Sequence, residues 1–449
     1  MAIDDASGRG RSWPVLPWGA RLVITIVLLA LYYFGRRLTL PFVDPQAAAM
    51  LGPRSTTSVL GLGYTPLLTG FLLVELFSVM TSPGRRLRQR GTAGRATLNR
   101  VALRASLLIA AIQAFSIGRY LEVITLPAGV PLLTTDPGIG FLLITTGTLT
   151  AMTAAVFVLA NILSDFGIGN GFVLLSLVDS VRLILARLPP SGVESPDSSS
   201  PVAAVSLLLL LVLGGFLIRQ LRAAENGYSP IFPQGYLPAG WAVAVVSAFS
   251  IFPGLKALRD LLSMTPWVFN TGVVLILVPL LSWGTFHLFS SRPRLEANLP
   301  EPAEVLDRLA GVLRRRLLPA TVLLTAGTAI AAGLGRYQPN TLPWSLIGFG
   351  ELIFLAALAF DLWDQFRFSQ SHGALARLVQ LDNVHFSYRL AARLEEDGID
   401  ALARGHVVRS LFFFLGPLYK IDVLVPVEDL DYAQGVLAEL ESARELKVF

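Results

Sequence analysis

The chain has 449 residues, 53% of them hydrophobic and only 15% charged, with a formal net charge of +5 and no cysteine. So few charges cannot coat a water-soluble surface of this size, and the composition reads as a membrane protein with many spans. Disulfides, thiolate metal ligands and a cysteine nucleophile are excluded, and the arginines gather at the ends of apolar runs rather than in patches that would hold DNA.

Arg9, Arg11 and Arg21 precede a long apolar run, and no small-residue cleavage site follows. Residues 1–20 therefore read as a retained cytoplasmic tail. Span one is predicted at 22–34, extended by 38–43, with Arg36 and Arg37 interrupting it. A short polar connection holding Pro45, Gly52 and Pro53 leads to span two at 60–80. The start of that span, Gly61-Leu-Gly-Tyr-Thr-Pro66, is broken by glycine and proline and predicts a kink or half-helix. Arg85, Arg86, Arg88, Arg90, Arg95, Arg100 and Arg104 follow with no acid between them. They are a positive-inside topology signal, and equally a docking surface for an acidic partner or ribosomal RNA phosphates.

Spans three and four are predicted at 102–117 and 141–163. After them Gly167-Ile-Gly-Asn-Gly171 places three glycines and an asparagine in five positions. Such a stretch allows positive φ and a tight reversal, so it re-aims span four into span five, at 172–188. A polar loop covers 189–201. Spans six to ten fall at 202–218, 237–252, 267–289, 318–334 and 344–363. The loops after spans two and eight are basic, the latter carrying Arg314, Arg315 and Arg316. This puts even-numbered loops and both termini of a multi-pass membrane protein in the cytoplasm. Glu351 is the deepest intramembrane acid, placed either to pair within the bundle or to relay protons. Asp361, Asp364 and Arg367 read as marking the cytoplasmic end of span ten.

Residues 376–449 are polar and soluble-looking. Their pattern is strand 377–381, helix 386–396, strands 399–411 and 419–426, and helix 427–440. The four histidines are scattered and no glycine-rich phosphate loop occurs. No metal, no cofactor and no enzymatic reaction are expected.

The order of these features resembles the SecY family, the channel subunit of the protein translocase, over residues 20–372. Leu38-Thr-Leu-Pro-Phe-Val-Asp-Pro45 resembles the family's Ile-Pro-Ile-Pro-Gly-Ile-Asn/Asp-Pro after span one. Leu60-Gly-Leu-Gly-Tyr-Thr-Pro66 resembles its Phe-Ala-Leu-Gly-Ile-Met-Pro at span two. The arginine loop runs into Ala111-Ile-Gln-Ala-Phe115, as the second cytoplasmic loop does into span three. Thr145-Thr-Gly-Thr148 and then Gly167-Ile-Gly-Asn-Gly171 resemble Leu-Thr-Ala-Gly-Thr followed by Gly-Ile-Gly-Asn-Gly. Leu237-Pro238, Phe252-Pro253 and Phe360-Asp-Leu-Trp-Asp-Gln365 also fit.

The resemblance implies an all-α polytopic membrane protein of ten transmembrane helices in two inverted five-helix halves, about 21–190 and 201–372, followed by a small C-terminal α+β cytoplasmic domain at 376–449. It implies a protein-conducting channel for translocation or lateral insertion of polypeptides, with a lateral gate between spans two and seven. Its apolar pore ring would fall at Tyr64, Leu68, Phe172 and Ser176. A dry apolar constriction blocks ions by dewetting, which is why such a ring is needed. The implied partners are SecE-like and SecG-like small subunits, the lipid bilayer, and a SecA-like motor or ribosome. Coupling to motor or ribosome is weakened, because the plug segment and the loops after spans six and eight are shortened. Two other readings stay open: a non-conducting paralogue acting as membrane scaffold or sensor, and a small-solute transporter with inverted repeats and a polar site around Glu351. In the tail, Arg404-Gly-His-Val-Val-Arg-Ser-Leu-Phe412 and Val423-Leu-Val-Pro-Val-Glu-Asp429 resemble a small bacterial signal-transducing domain.

Overall fold

A computed structural model describes residues 15–50, 57–89, 91–124, 132–134, 138–185, 235, 237–242, 266–293, 295, 303–334, 349–381, 384–411 and 418–442. Predicted span six, most of span seven, the loop at 189–201 and Arg90 lie outside the described residues. The chain divides into two compact units, Pro14–Ala186 and Arg187–Val448.

In the first unit, helix α1 covers Trp18–Gly35. It stops short of the predicted extension through 38–43. Pro41 removes a helix donor and Phe42 takes a φ of 64°. The segment instead makes extended bridges, Thr39 with Ser58 and Val43 with Leu133. Asp44 then starts the short helix α2 (Pro45–Met50), its carboxylate accepting the N–H groups of Gln46 at 2.8 Å and Ala47 at 2.9 Å. Ala47 and Ala48 of α2 pack into one apolar cluster with Leu40, Leu121, Phe141 and Leu149.

Helices α3 (Thr65–Met80), α4 (Ser82–Gln89), α5 (Gly91–Val123), α6 (Ile139–Phe166) and α7 (Gly171–Leu185) complete this unit. Pro66 sits in the first turn of α3, where its missing N–H leaves no bond unmade. Helices α3 and α5 meet at Gly70, where a Cβ would lie 2.2 Å from Ser106 Oγ and 2.6 Å from Ser106 Cα. Only a glycine lets the two backbones approach so closely.

In the second unit, α8 covers Pro266–Phe289, α9 Ala303–Leu334 and α10 Phe349–His372. Among the described residues, four helices are long and apolar enough to cross a membrane: Trp18–Gly35, Ala96–Val123 within α5, α6, and Phe269–Leu288 within α8.

A small α+β unit follows: β1 (Leu375–Leu381), α11 (Val384–Glu396), β2 (Leu402–Arg404), α12 (His406–Leu411), β3 (Ile421–Pro426), a 3-10 turn at Val427–Asp429 and α13 (Leu430–Ser442). The sheet is antiparallel in the order β1-β3-β2, and all six residues of central β3 are buried. The predicted strand at 399–411 is thus a three-residue strand followed by a six-residue helix. Gly405, at φ +83°, ends the strand after three residues, and the chain beyond it forms α12, in which Val407 to Leu411 are all buried. Leu378, Leu390, Leu394, Val423 and Val425 share a single core with Leu306, Leu309 and Leu313 of α9. The small α+β unit is therefore packed onto the first half of α9.

Candidate functional site

The glycine corner is held by hydrogen bonds to several of the backbone groups that reverse the chain. Gly167 ends α6 in extended conformation, and Gly169 takes a φ of +82°. The Asn170 side-chain oxygen accepts the N–H groups of Phe172 at 3.0 Å and Val173 at 3.2 Å, capping α7. Gly171 N–H donates to Ser164 Oγ at 2.8 Å.

Two more groups, the Gly167 carbonyl and the Ile168 N–H, are bonded by α1. Arg21 is fully buried and donates through Nε (2.9 Å) and a terminal nitrogen to the Gly167 carbonyl. Thr25 Oγ1 accepts the Ile168 N–H at 2.9 Å and donates to the Arg21 carbonyl at 2.8 Å. Buried backbone outside helix or sheet needs partners of this kind. The corner is therefore a clamp joining α1, α6 and α7.

Two of its glycines are fixed by space. A Cβ on Gly171 would lie 2.0 Å from the Ala160 carbonyl oxygen, and one on Gly167 2.5 Å from that of Leu163. Gly171→Ala is expected to destabilise this unit by about 1–3 kcal/mol by forcing α6 and α7 apart. Gly147→Ala in α6, where a Cβ meets nothing within 4 Å, is the neutral control. Thermal unfolding of both variants in detergent checks the difference.

A second polar node lies further along the same helices. Asp179 on α7 accepts Arg36 Nε at 2.9 Å through one oxygen and the Tyr32 hydroxyl at 2.9 Å through the other. Arg36 also donates to the carbonyls of Leu60 and Gly61, in the turn that precedes α3. Gly63 closes this node at φ +56°, with room for a Cβ only 3.3 Å from the Tyr32 hydroxyl. One ion pair thus ties α1, α7 and the entry to α3.

The four ring residues occupy different environments. Phe172 is 1% exposed and packs on Phe157, ring centroids 6.2 Å apart, which stacks in turn on Phe71 at 6.3 Å. Tyr64, Leu68 and Ser176 are half-buried, and the Ser176 hydroxyl donates to the Val173 carbonyl. Tyr64 lies just before α3, Leu68 in its first turn, and Ser176 one turn beyond Phe172 on α7.

Of the basic residues, Arg85 and Arg86 are exposed on α4, Arg88 lies in α4 and Arg95 in the first turns of α5. Arg314 and Arg315 are exposed on α9 and Arg316 is half-buried. Glu351 falls in the first turn of α10.

Asp361 does not mark a helix end, since α10 continues to His372. It is buried, and its two oxygens accept the N–H groups of Val407 at 3.1 Å and Val408 at 3.0 Å, the first turn of α12. His406 lies 3.7 Å from Asp361 and edge-on to the Tyr388 ring at 5.2 Å. Burial, with the carboxylates of Asp361 and Asp364, pushes the Tyr388 phenol well above its usual range, so it stays neutral.

Against known proteins, residues 58–227 match the SecY family model. That segment includes the corner, α3 and α7, but not Arg21 or Arg36. The protein translocase subunit SecY of Aquifex aeolicus is 24% identical over 271 residues, 50% of this chain and 62% of that protein. Its counterpart in Rickettsia bellii is 25% identical over 216 residues, 43% of this chain and 49% of that protein. The matches thus span less than two thirds of either relative. The Sec61 of a canine ribosome–channel complex from the endoplasmic reticulum aligns with a TM-score of 0.47 and 12% identity, over 80% of this chain and 95% of that one. Residues 58–227 are thus similar to the SecY domain, and the relatives that this chain resembles are SecY subunits of the protein translocase.

Proposed function

We propose that the chain is a protein-conducting channel of the inner membrane, passing polypeptides across or releasing them sideways into the bilayer, with its tail domain as a regulatory or docking module. The observation that supports it best is the clamped corner. It lies inside the SecY-matched segment and orients α7, which carries Phe172 and Ser176, relative to α3, which carries Leu68. Tyr64, Leu68, Phe172 and Ser176 form the pore ring in this reading, and Phe172 is its most enclosed member. The ten spans form two inverted halves, 21–190 and 201–372, with both termini cytoplasmic. The spans outside the described residues rest on the sequence pattern.

Helix α2 stands where a plug would begin. It is six residues long and packs on the cluster that includes Leu121 and Phe141. Sealing therefore falls to the ring itself. SecE-like and SecG-like subunits clamp the bundle, and a motor or ribosome supplies the driving force. The exposed arginines of α4 and α9 offer the docking charge, with the tail domain seated beside those of α9.

Photo-crosslinking from Tyr64, Leu68, Phe172 and Ser176 to a stalled nascent chain, with partner subunits present, tests this. Adducts are expected from the half-buried positions before Phe172. Absence of adducts from all four, in folded protein, would rule out conduction and leave a membrane scaffold.

A further inference from the structure

We propose that the groove between α8 and α9 is a binding site for one membrane phospholipid with an anionic headgroup. The groove has a volume of about 910 Å³. On α8, Pro279, Trp283 and His287 line it at four-residue spacing, which is one helix face. On α9, Thr321, Leu318 and Arg314 line the opposite wall at three- and four-residue spacing.

Both walls change polarity in the same direction. At one end are Pro279 and Thr321, within the apolar stretches of their helices. In the middle stand Trp283 and Leu318, both well exposed. At the other end are His287, Arg292 and Arg314. From Pro279 to His287 the helix rises about 12 Å, enough to pass from acyl chain to headgroup level. This gradient is that of a lipid molecule. A soluble anion would need no apolar half, and an apolar peptide segment would gain nothing from the basic end.

Arg292 Nε is paired with Asp307 at 2.6 Å. Arg314 is exposed and has no carboxylate partner among the described residues. His287 stands edge-on to Trp283 at 4.4 Å, completing an aromatic wall below the arginines. Among the described lining residues one acid, Asp307, faces two arginines, Arg292 and Arg314. A tryptophan near the end of a membrane-crossing helix belongs at headgroup level. Basic pockets between helices on the arginine-rich side meet the anionic leaflet. Gly311 leaves open space beside the groove, with nothing within 4 Å of where a Cβ would stand.

The test uses the full chain reconstituted in phosphatidylcholine vesicles that carry a minor share of brominated lipid. Trp283 quenching is read as the difference between the chain and its Trp283→Phe variant. Brominated phosphatidylglycerol is expected to quench with about five-fold higher apparent affinity than brominated phosphatidylcholine, as one arginine near an anionic headgroup supplies. Arg314→Gln should make the two lipids equal, and Arg314→Lys should keep the preference. Excess inorganic phosphate should leave it intact. Gly311→Phe, which places a bulky ring at the groove wall, should lower quenching by both lipids. Equal quenching by both lipids in the unmodified chain overturns the proposal. So does a preference that survives Arg314→Gln, and so does loss of the preference to phosphate, which would mark a free-anion site. Circular dichroism of each variant confirms that it is folded. The outcome is independent of whether the chain conducts polypeptides.

Discussion

Asp179→Ala will cost the first unit about 3–5 kcal/mol, because it leaves a largely buried guanidinium with no counter-charge. Only 12% of the Arg36 side chain and 18% of the Asp179 side chain are exposed. The two oxygens of Asp179 are both used, one by Arg36 and one by the fully buried Tyr32. Removing the acid leaves the carbonyls of Leu60 and Gly61 as the Arg36 acceptors and leaves the Tyr32 hydroxyl without its acceptor. Asp179→Asn, which keeps one acceptor but loses the charge, should fall between. The double replacement Arg36→Met with Asp179→Leu should recover most of the loss, since it removes both charges together. Thermal unfolding in detergent of the two singles and the double closes the cycle. If Asp179→Ala melts with the unmodified chain, the ion pair does not hold these helices. The same node positions the turn carrying Tyr64 and the helix carrying Ser176. A destabilised variant that still inserts should therefore also leak ions, if the ring is the seal.

Sequence chemistry made the corner legible because its signals are local. Glycine at positive φ and asparagine as an N-cap act within three residues of themselves, and the structure uses Gly169 and Asn170 in those roles. What was not legible is pairing across long stretches of chain. Arg21 reads as a topology marker, yet its acceptor is 146 residues away. Arg36 reads as an interruption of span one, yet it is the centre of the second node, with a partner 143 residues away. Both stand at the ends of apolar runs, where an arginine is expected for other reasons, so composition gives no hint of burial. For Arg36 the signal available is Asp179, the one acid on α7, because an intramembrane carboxylate needs a partner; Arg21, which bonds a backbone carbonyl, has no such signal. The strand predicted at 399–411 failed for a related reason. Alternation over a short run does not separate a strand from one face of a short helix, and Gly405 and the distant Asp361 decided it.

Asp361→Ala should loosen the tail domain at α12 without unfolding it. Two buried N–H groups lose their acceptors, and each unmade bond costs about 1–3 kcal/mol. The carboxylate also sits where α12 presents its positive end, so Asp361→Asn should have an intermediate effect, keeping an acceptor but not the charge. Two other features stay in place. The buried pair of Arg404 and Asp422, at 2.5 Å, holds β2 on β3. The apolar core shared with Leu306, Leu309 and Leu313 still attaches the domain to α9. The loss is therefore confined to the joint between α10 and α12. Hydrogen exchange at Val407 and Val408 should accelerate by two or more orders of magnitude, as roughly 3 kcal/mol of lost local protection requires. Exchange in β3 should stay slow, since all six of its residues are buried away from the joint. Unchanged protection at Val407 and Val408 would show that Asp361 is not the latch. Equal loss in β3 would show that the joint and the sheet unfold as one unit, and the domain could not then move independently of α10. If the first pattern is found, α12 is the point at which a ligand or partner of the tail domain could reach the end of span ten.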